Sequence, residues 1–109
     1  MMTIWTPIIA KERLTPDAGV CALVNGKQVA IFLDRKTDQL FAIDNYCPAS
    51  KANVLSRGLI SSVKDILTVS SPLYKEHFSL TTGECLEDET LSVPVYAVRV
   101  TDGMVEVAA

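Results

Sequence analysis

The pair Asn25-Gly26, set between the β-rich runs Val20 to Val24 and Lys27 to Leu33, constrains this chain more than any other feature. Such a two-residue loop accepts the positive φ angles of a tight turn whose twist suits antiparallel strands, so the two runs are predicted to form a hairpin. The same punctuation continues along the chain. Gln39 to Asp44 follows the polar connection 34–38 as a third run, Ile66 to Ser70 makes a fourth, and Phe78 to Leu80 a short fifth ending at Thr82-Gly83. Val95 to Val100 and Met104 to Val107, joined around Asp102-Gly103, are the sixth and seventh. Pro48, Pro72 and Pro94 fall at run edges, where a missing N–H is tolerated. No segment, 50–58 included, sustains a 3.6-residue apolar period. Short strands with regular turns imply an all-β fold, a small sandwich or barrel forming one domain over residues 1–109.

Composition narrows the function classes. At 49% hydrophobic and 21% charged residues the chain lies well outside the disordered range, so a packed core is expected throughout. The uninterrupted apolar stretches are far shorter than the roughly 20 residues a membrane-crossing helix needs. Met1 to Pro7 has no basic region leading into a longer apolar run, so a secretory leader is not expected. With that, three cysteines, an odd number, point to reduced thiols and a cytoplasmic setting. Ten basic and thirteen acidic residues leave a net charge of −3, and the cations are scattered rather than gathered into a stripe. Nucleic acid is therefore not an expected partner.

Two segments carry the pattern on which function turns. The first reads Asp44-Asn45-Tyr46-Cys47-Pro48-Ala49-Ser50, and the second runs from Ser70-Ser71-Pro72-Leu73-Tyr74 through His77-Phe78-Ser79-Leu80-Thr81-Thr82-Gly83. Together they resemble the Rieske frame, in which one loop carries C-x-H and the other C-P-x-H followed by an aromatic strand and a T-G turn. Val54-Leu55-Ser56-Arg57-Gly58 resembles the segment between those loops, and Val93 to Val100 with Asp102 to Val105 resembles the closing hairpin. The resemblance implies a Rieske-like domain with both loops, 45–53 and 71–77, at one tip.

Measured against that frame, the ligand positions are degenerate. Cys47 is retained, whereas Ala49 stands where a His is expected, Ser71 where the second Cys is expected, and Tyr74 where the second His is expected. A Rieske centre needs two thiolates on one iron and two imidazoles on the other. Alanine has no donor atom, and neutral hydroxyl and phenol oxygens substitute poorly for thiolate or imidazole. No 2Fe-2S cluster or other cofactor is expected in this chain.

Within the Rieske superfamily, Gly19 to Val24, Gln28 to Phe32, Val54 to Ile60, Ser71 to Leu73 and Cys85 to Glu89 are similar to the small subunits of assimilatory NAD(P)H nitrite reductases. That similarity implies a large-subunit partner bearing FAD, a 4Fe-4S cluster and sirohaem, which reduces nitrite to ammonium while this chain remains non-catalytic. A free-standing Rieske-shaped module that binds another oxidoreductase is the alternative.

Other residues have competing readings. Cys47 is a relic ligand, a buried apolar residue or a reactive thiol, the last requiring a nearby cation or helix N-terminus. His77, the single histidine, would make a nucleophilic pair with Cys47 only if a third group oriented it. Cys21 reads as a core residue in an alternating run, and Cys85 follows the Thr82-Gly83 turn. Neither has the C-x-x-C neighbour of a zinc site. Glu84, Glu87, Asp88 and Glu89 read as a solvated face or, alternatively, as complementing a basic partner. No residue is expected to be catalytic. Trp5, Tyr46, Tyr74 and His77 are the interface candidates, because aromatic side chains carry much of the energy of a desolvated contact.

Overall fold

The computed structural model describes residues 4–73 and 76–109. Among these described residues there are eleven strands: β1 (Thr6–Ala10), β2 (Val20–Val24), β3 (Lys27–Leu33), β4 (Leu40–Asp44), β5 (Tyr46–Cys47), β6 (Ala52–Asn53), β7 (Leu59–Val63), β8 (Ile66–Ser70), β9 (His77–Ser79), β10 (Val95–Thr101) and β11 (Met104–Ala108). Two single 3-10 turns, Lys11–Arg13 and Leu55–Arg57, are the helical elements among them. No helix among the described residues is long and apolar enough to cross a membrane.

Six strands form one antiparallel sheet in the order β1-β11-β10-β4-β3-β2, and β7-β8-β9 form a second. Asn25 and Gly26 adopt φ of 50° and 78°, as the expected tight turn requires. They set the register from Val24↔Lys27 to Val20↔Ile31. All six strands of the large sheet send apolar side chains to one core, where Val24, Val29, Ile31, Leu33, Ala42, Val105 and Val107 are buried. The sheet thus curls around this core as a barrel.

A second core lies on the other face of β3 and β4. Ala30, Phe32 and Ile43 pack there with Cys47, Leu55, Val69, Phe78, Leu80, Cys85 and Val93. Successive residues of a strand point to opposite faces. Val29, Ile31 and Leu33 therefore serve the barrel, while Ala30 and Phe32 serve the second core, which explains why all five are buried. The strand β3 is a wall shared by two cores.

Several strands depart from expectation. The runs β1, β5, β6 and β7 carry no strong sequence signal, and β7 shows why. It joins β8 through Lys64-Asp65, whose φ values of 50° and 65° make a tight turn with no glycine to announce it. The expected strand at Phe78 to Leu80 is shifted to His77–Ser79, because pairing extends to Ser70↔His77 while Leu80 enters the turn. Cys21 is a correction: it is exposed, because Val20, Ala22 and Val24 take the inward positions of β2.

The connection from Leu55–Arg57 into β7 depends on close approach. A Cβ on Gly58 would lie 2.2 Å from the Ser70 carbonyl oxygen and 2.8 Å from a Val69 methyl. The glycine of the Val54 to Gly58 motif therefore lets this segment seat against β8.

Candidate functional site

The first loop grows directly out of the β3–β4 wall. Asp44 ends β4 and uses both carboxylate oxygens there: Oδ1 accepts from the Tyr46 amide at 2.9 Å, and Oδ2 accepts from the Tyr96 hydroxyl at 2.9 Å. Burial, together with the adjacent Asp44 carboxylate, pushes the Tyr96 phenol up to about 12. Tyr96 is thus a neutral donor that ties β10 to the loop base.

Asn45 is the buried polar residue at this base, 2% exposed. Its Oδ1 accepts from the Ser56 amide at 2.7 Å, and its Nδ2 donates to Gln28 Oε1 at 3.1 Å and to Cys21 Sγ at 3.5 Å. Its amide donates to the Gln28 carbonyl, and its carbonyl accepts from the Leu55 amide. One side chain therefore joins the hairpin, the loop and the Leu55–Arg57 turn.

Beyond Asn45 the chain makes the short β5–β6 hairpin. Tyr46 is exposed, and Cys47 is fully buried in the second core beside Leu55, Val69 and Phe78. Ala49 is half-buried and packs against the same core. The Cys47 thiol and the Ala49 methyl are thus apolar packing groups.

In the second loop Ser71 is buried, and its Oγ accepts from the Leu73 amide at 3.2 Å, a local turn bond. Tyr74, an expected ligand position and interface candidate, lies outside the described residues. His77 begins β9 and is clamped by Glu87. Its amide donates to Oε1 at 2.7 Å and its Nδ1 lies 2.6 Å from Oε2. Partial desolvation raises the Glu87 carboxyl, but the His77 amide and ring outweigh it and hold the carboxyl below its ordinary value of 4.5. No hydrogen bond joins His77 to Cys47 among the described residues. Trp5 sits under the Arg99 guanidinium, 4.1 Å from ring centre to Cζ, and Arg99 also donates to Glu106 at 2.7 Å.

These residues do not fit a Rieske cluster. Cys47 is a thiol in an apolar core, Ala49 presents only a methyl, and Ser71 spends its oxygen on its own turn. Among the described residues no three His, Cys, Asp or Glu side chains converge as metal ligands would. Cys85 is buried in the second core, and burial pushes its thiol up and disfavours the free thiolate. The described residues of the two loops lack the donor set that would grip iron.

Two participants escaped the sequence reading. Asn45 reads as one more polar loop residue, and nothing in its neighbours signals burial. Glu87 was placed within an acidic run of solvated or partner-facing character, yet it is spent on His77, ten positions away. The Phe78↔Cys85 bridge and the Leu86 amide, which donates to the His77 carbonyl at 2.8 Å, bring them together.

Comparison with known proteins agrees with this geometry. Residues 4–108 match the family model of the Rieske-like [2Fe-2S] domain. The NADH nitrite reductase small subunit of Salmonella typhimurium is 49% identical over 105 residues, covering 96% of this chain and 97% of that one. The NMR structure of the E. coli protein NirD superposes with a TM-score of 0.90 at 45% identity, covering 99% of this chain and 98% of that one. A segment amounting to 10% of the NAD(P)H nitrite reductase large subunit of Klebsiella oxytoca is 37% identical to 93% of this chain. This chain belongs to the Rieske-like [2Fe-2S] domain family, on the branch represented by the small subunits of NADH nitrite reductase.

Proposed function

We propose that this chain is the small subunit of a cytoplasmic NADH-dependent nitrite reductase, a scaffold that binds the large subunit and relays no electrons itself. End-to-end similarity to a small subunit of that enzyme carries the reading, with 96% of this chain matched to 97% of the relative. The donor set supports the scaffold role, because one thiol among the ligand positions cannot hold the cofactor that redox work would require. The large subunit, as the resemblance implies, holds FAD, a 4Fe-4S cluster and sirohaem and reduces nitrite to ammonium. This chain stabilises that subunit or orients its domains, with Trp5, Tyr46, Tyr74 and His77 as contact residues.

The K. oxytoca match supports the choice of partner. A domain of this type within a large-subunit polypeptide has its partner at high effective concentration through the covalent link. A separate chain must draw all of that affinity from its own surface.

Expression of the large subunit with and without this chain tests the reading. The two are expected to co-purify, and nitrite-dependent NADH oxidation or sirohaem content is expected to fall when this chain is omitted. A large subunit fully assembled and active alone overturns the proposal. Stoichiometric iron and acid-labile sulfide in the isolated chain would overturn the scaffold role.

A further inference from the structure

The two ends of the six-stranded sheet are finished differently. On one side β1 contains Pro7, which has no N–H, breaks register between Pro7 and Ile9, and leads into Lys11-Glu12-Arg13. These are devices by which natural sheets block further pairing. On the other side β2 has none of them. Val20-Cys21-Ala22-Leu23-Val24 is uncharged, lacks proline and keeps continuous register with β3.

The backbone of β2 has a definite polarity. A two-residue turn makes Val24↔Lys27 the hydrogen-bonded pair, so Ala22 and Val20 also bond to β3. The N–H and C=O groups of Cys21 and Leu23 consequently point away from the sheet. Gln28, opposite Leu23, agrees with this phase, because its carbonyl turns the other way and accepts from the Asn45 amide at 2.9 Å. Among the described residues no backbone hydrogen bond reaches Cys21 or Leu23 from outside. Leu23 is 73% exposed. The free edge of the small sheet, β7, differs: Arg35, Lys36 and Thr37 face it across a cleft of about 330 Å³.

We propose that the outer edge of β2 receives an extended, apolar segment of the large subunit, which adds a strand through the main-chain groups of Cys21 and Leu23. This rests on the small-subunit reading above. Four main-chain groups without a partner among the described residues, beside one exposed leucine, call for an extended backbone rather than a flat surface. A second copy of this chain is the poorer occupant. Pairing β2 with β2 buries a strip roughly 17 Å long and about 10 Å wide on each copy. That is far short of the ~1,000 Å² a stable dimer needs, and each copy carries a net charge of −3. A partner already held elsewhere meets no such limit, since its second contact is effectively intramolecular.

Amide hydrogen exchange of this chain, free and bound to the large subunit, tests the proposal. The Cys21 and Leu23 amides are expected to exchange on the order of 100-fold more slowly in the complex. Leu23→Pro removes an outward N–H without entering the β2–β3 ladder, and Leu23→Lys keeps the N–H but charges the edge. Each is expected to weaken binding by about tenfold or more, with the lysine variant deciding if the proline variant does not fold. A complex in which Cys21 and Leu23 exchange at their free rates, or in which Leu23→Lys binds like wild type, overturns the edge contact and leaves the small-subunit reading standing. Absence of any complex with the wild-type chain overturns both.

Discussion

The barrel and the lobe built on β7 to β9 share the β3–β4 wall but hold themselves together by different means. The buried side chains of the barrel core are all aliphatic, from Leu14 and Val24 to Val105 and Val107. The lobe adds buried polar residues, each tied to a backbone. Asn45 takes the Ser56 amide, Thr68 Oγ1 donates to the Ser61 carbonyl, Ser71 takes the Leu73 amide, and Ser79 takes the amides of Thr81 and Thr82. Apolar burial is non-directional and suits a closed sheet, whereas irregular loops leave backbone groups that must each find a partner. In the Rieske frame, metal ligands gather the two loops. In this chain, side-chain-to-backbone hydrogen bonds and core packing hold the same segments in place.

Substitutions can break that contrast, beginning with the wall. Phe32→Ala should have the largest effect, about 3–5 kcal/mol of stability, because it opens a cavity in the lobe core at a strand that also supports the barrel. Urea unfolding measures the loss, and a cost below about 1 kcal/mol would mean the two cores are not coupled through β3. Asn45→Ala should cost about 2–4 kcal/mol by leaving the Ser56 amide and Gln28 without their buried partner. Here the contrast sharpens: amide exchange should quicken around Leu55 and Ser56 while the barrel ladder of β10 and β11 stays protected. Uniform quickening would show that the lobe has no separate anchor.

Gly58→Ala should cost about 1–3 kcal/mol, because the added methyl meets a backbone oxygen that cannot step aside alone. Thermal unfolding compared with Gly26→Ala separates that collision from conformational strain, since Gly26 has φ of 78° with open space around it. The smallest effect is acidification. Glu87 has a lowered folded-state pKa, so its contribution is complete above its ordinary 4.5 and fades as pH falls through the lower folded value. The His77 amide resonance should move in that acid window, and in Glu87→Gln the acid-driven shift should vanish. An unchanged titration in the variant would assign the shift to another carboxylate.

Much of the fold was legible because β structure writes itself locally. Asn25-Gly26 announces a turn, and the runs 20–24, 27–33 and 66–70 coincide with observed strands. The β7–β8 hairpin was hidden because Lys64 and Asp65 adopt positive φ with no glycine between the strands to advertise the turn. Cys21 was misplaced because both faces of the run 20–24 carry apolar residues, so its alternation does not state its phase. Only the pairing with β3 shows which face is inward.

That Ala49 and Ser71 offer neither thiolate nor imidazole is determined by the sequence alone, since it follows from residue type. The strand content followed similarly from alternation and turn residues. Tertiary structure alone decided that Cys47 is packing, that Asn45 is the anchor of the lobe, and that Glu87 answers His77. Those are matters of burial and partner choice between residues 10 to 52 positions apart in this chain. Local pattern carries the strand, whereas only the folded chain brings distant donors and acceptors within hydrogen-bond reach.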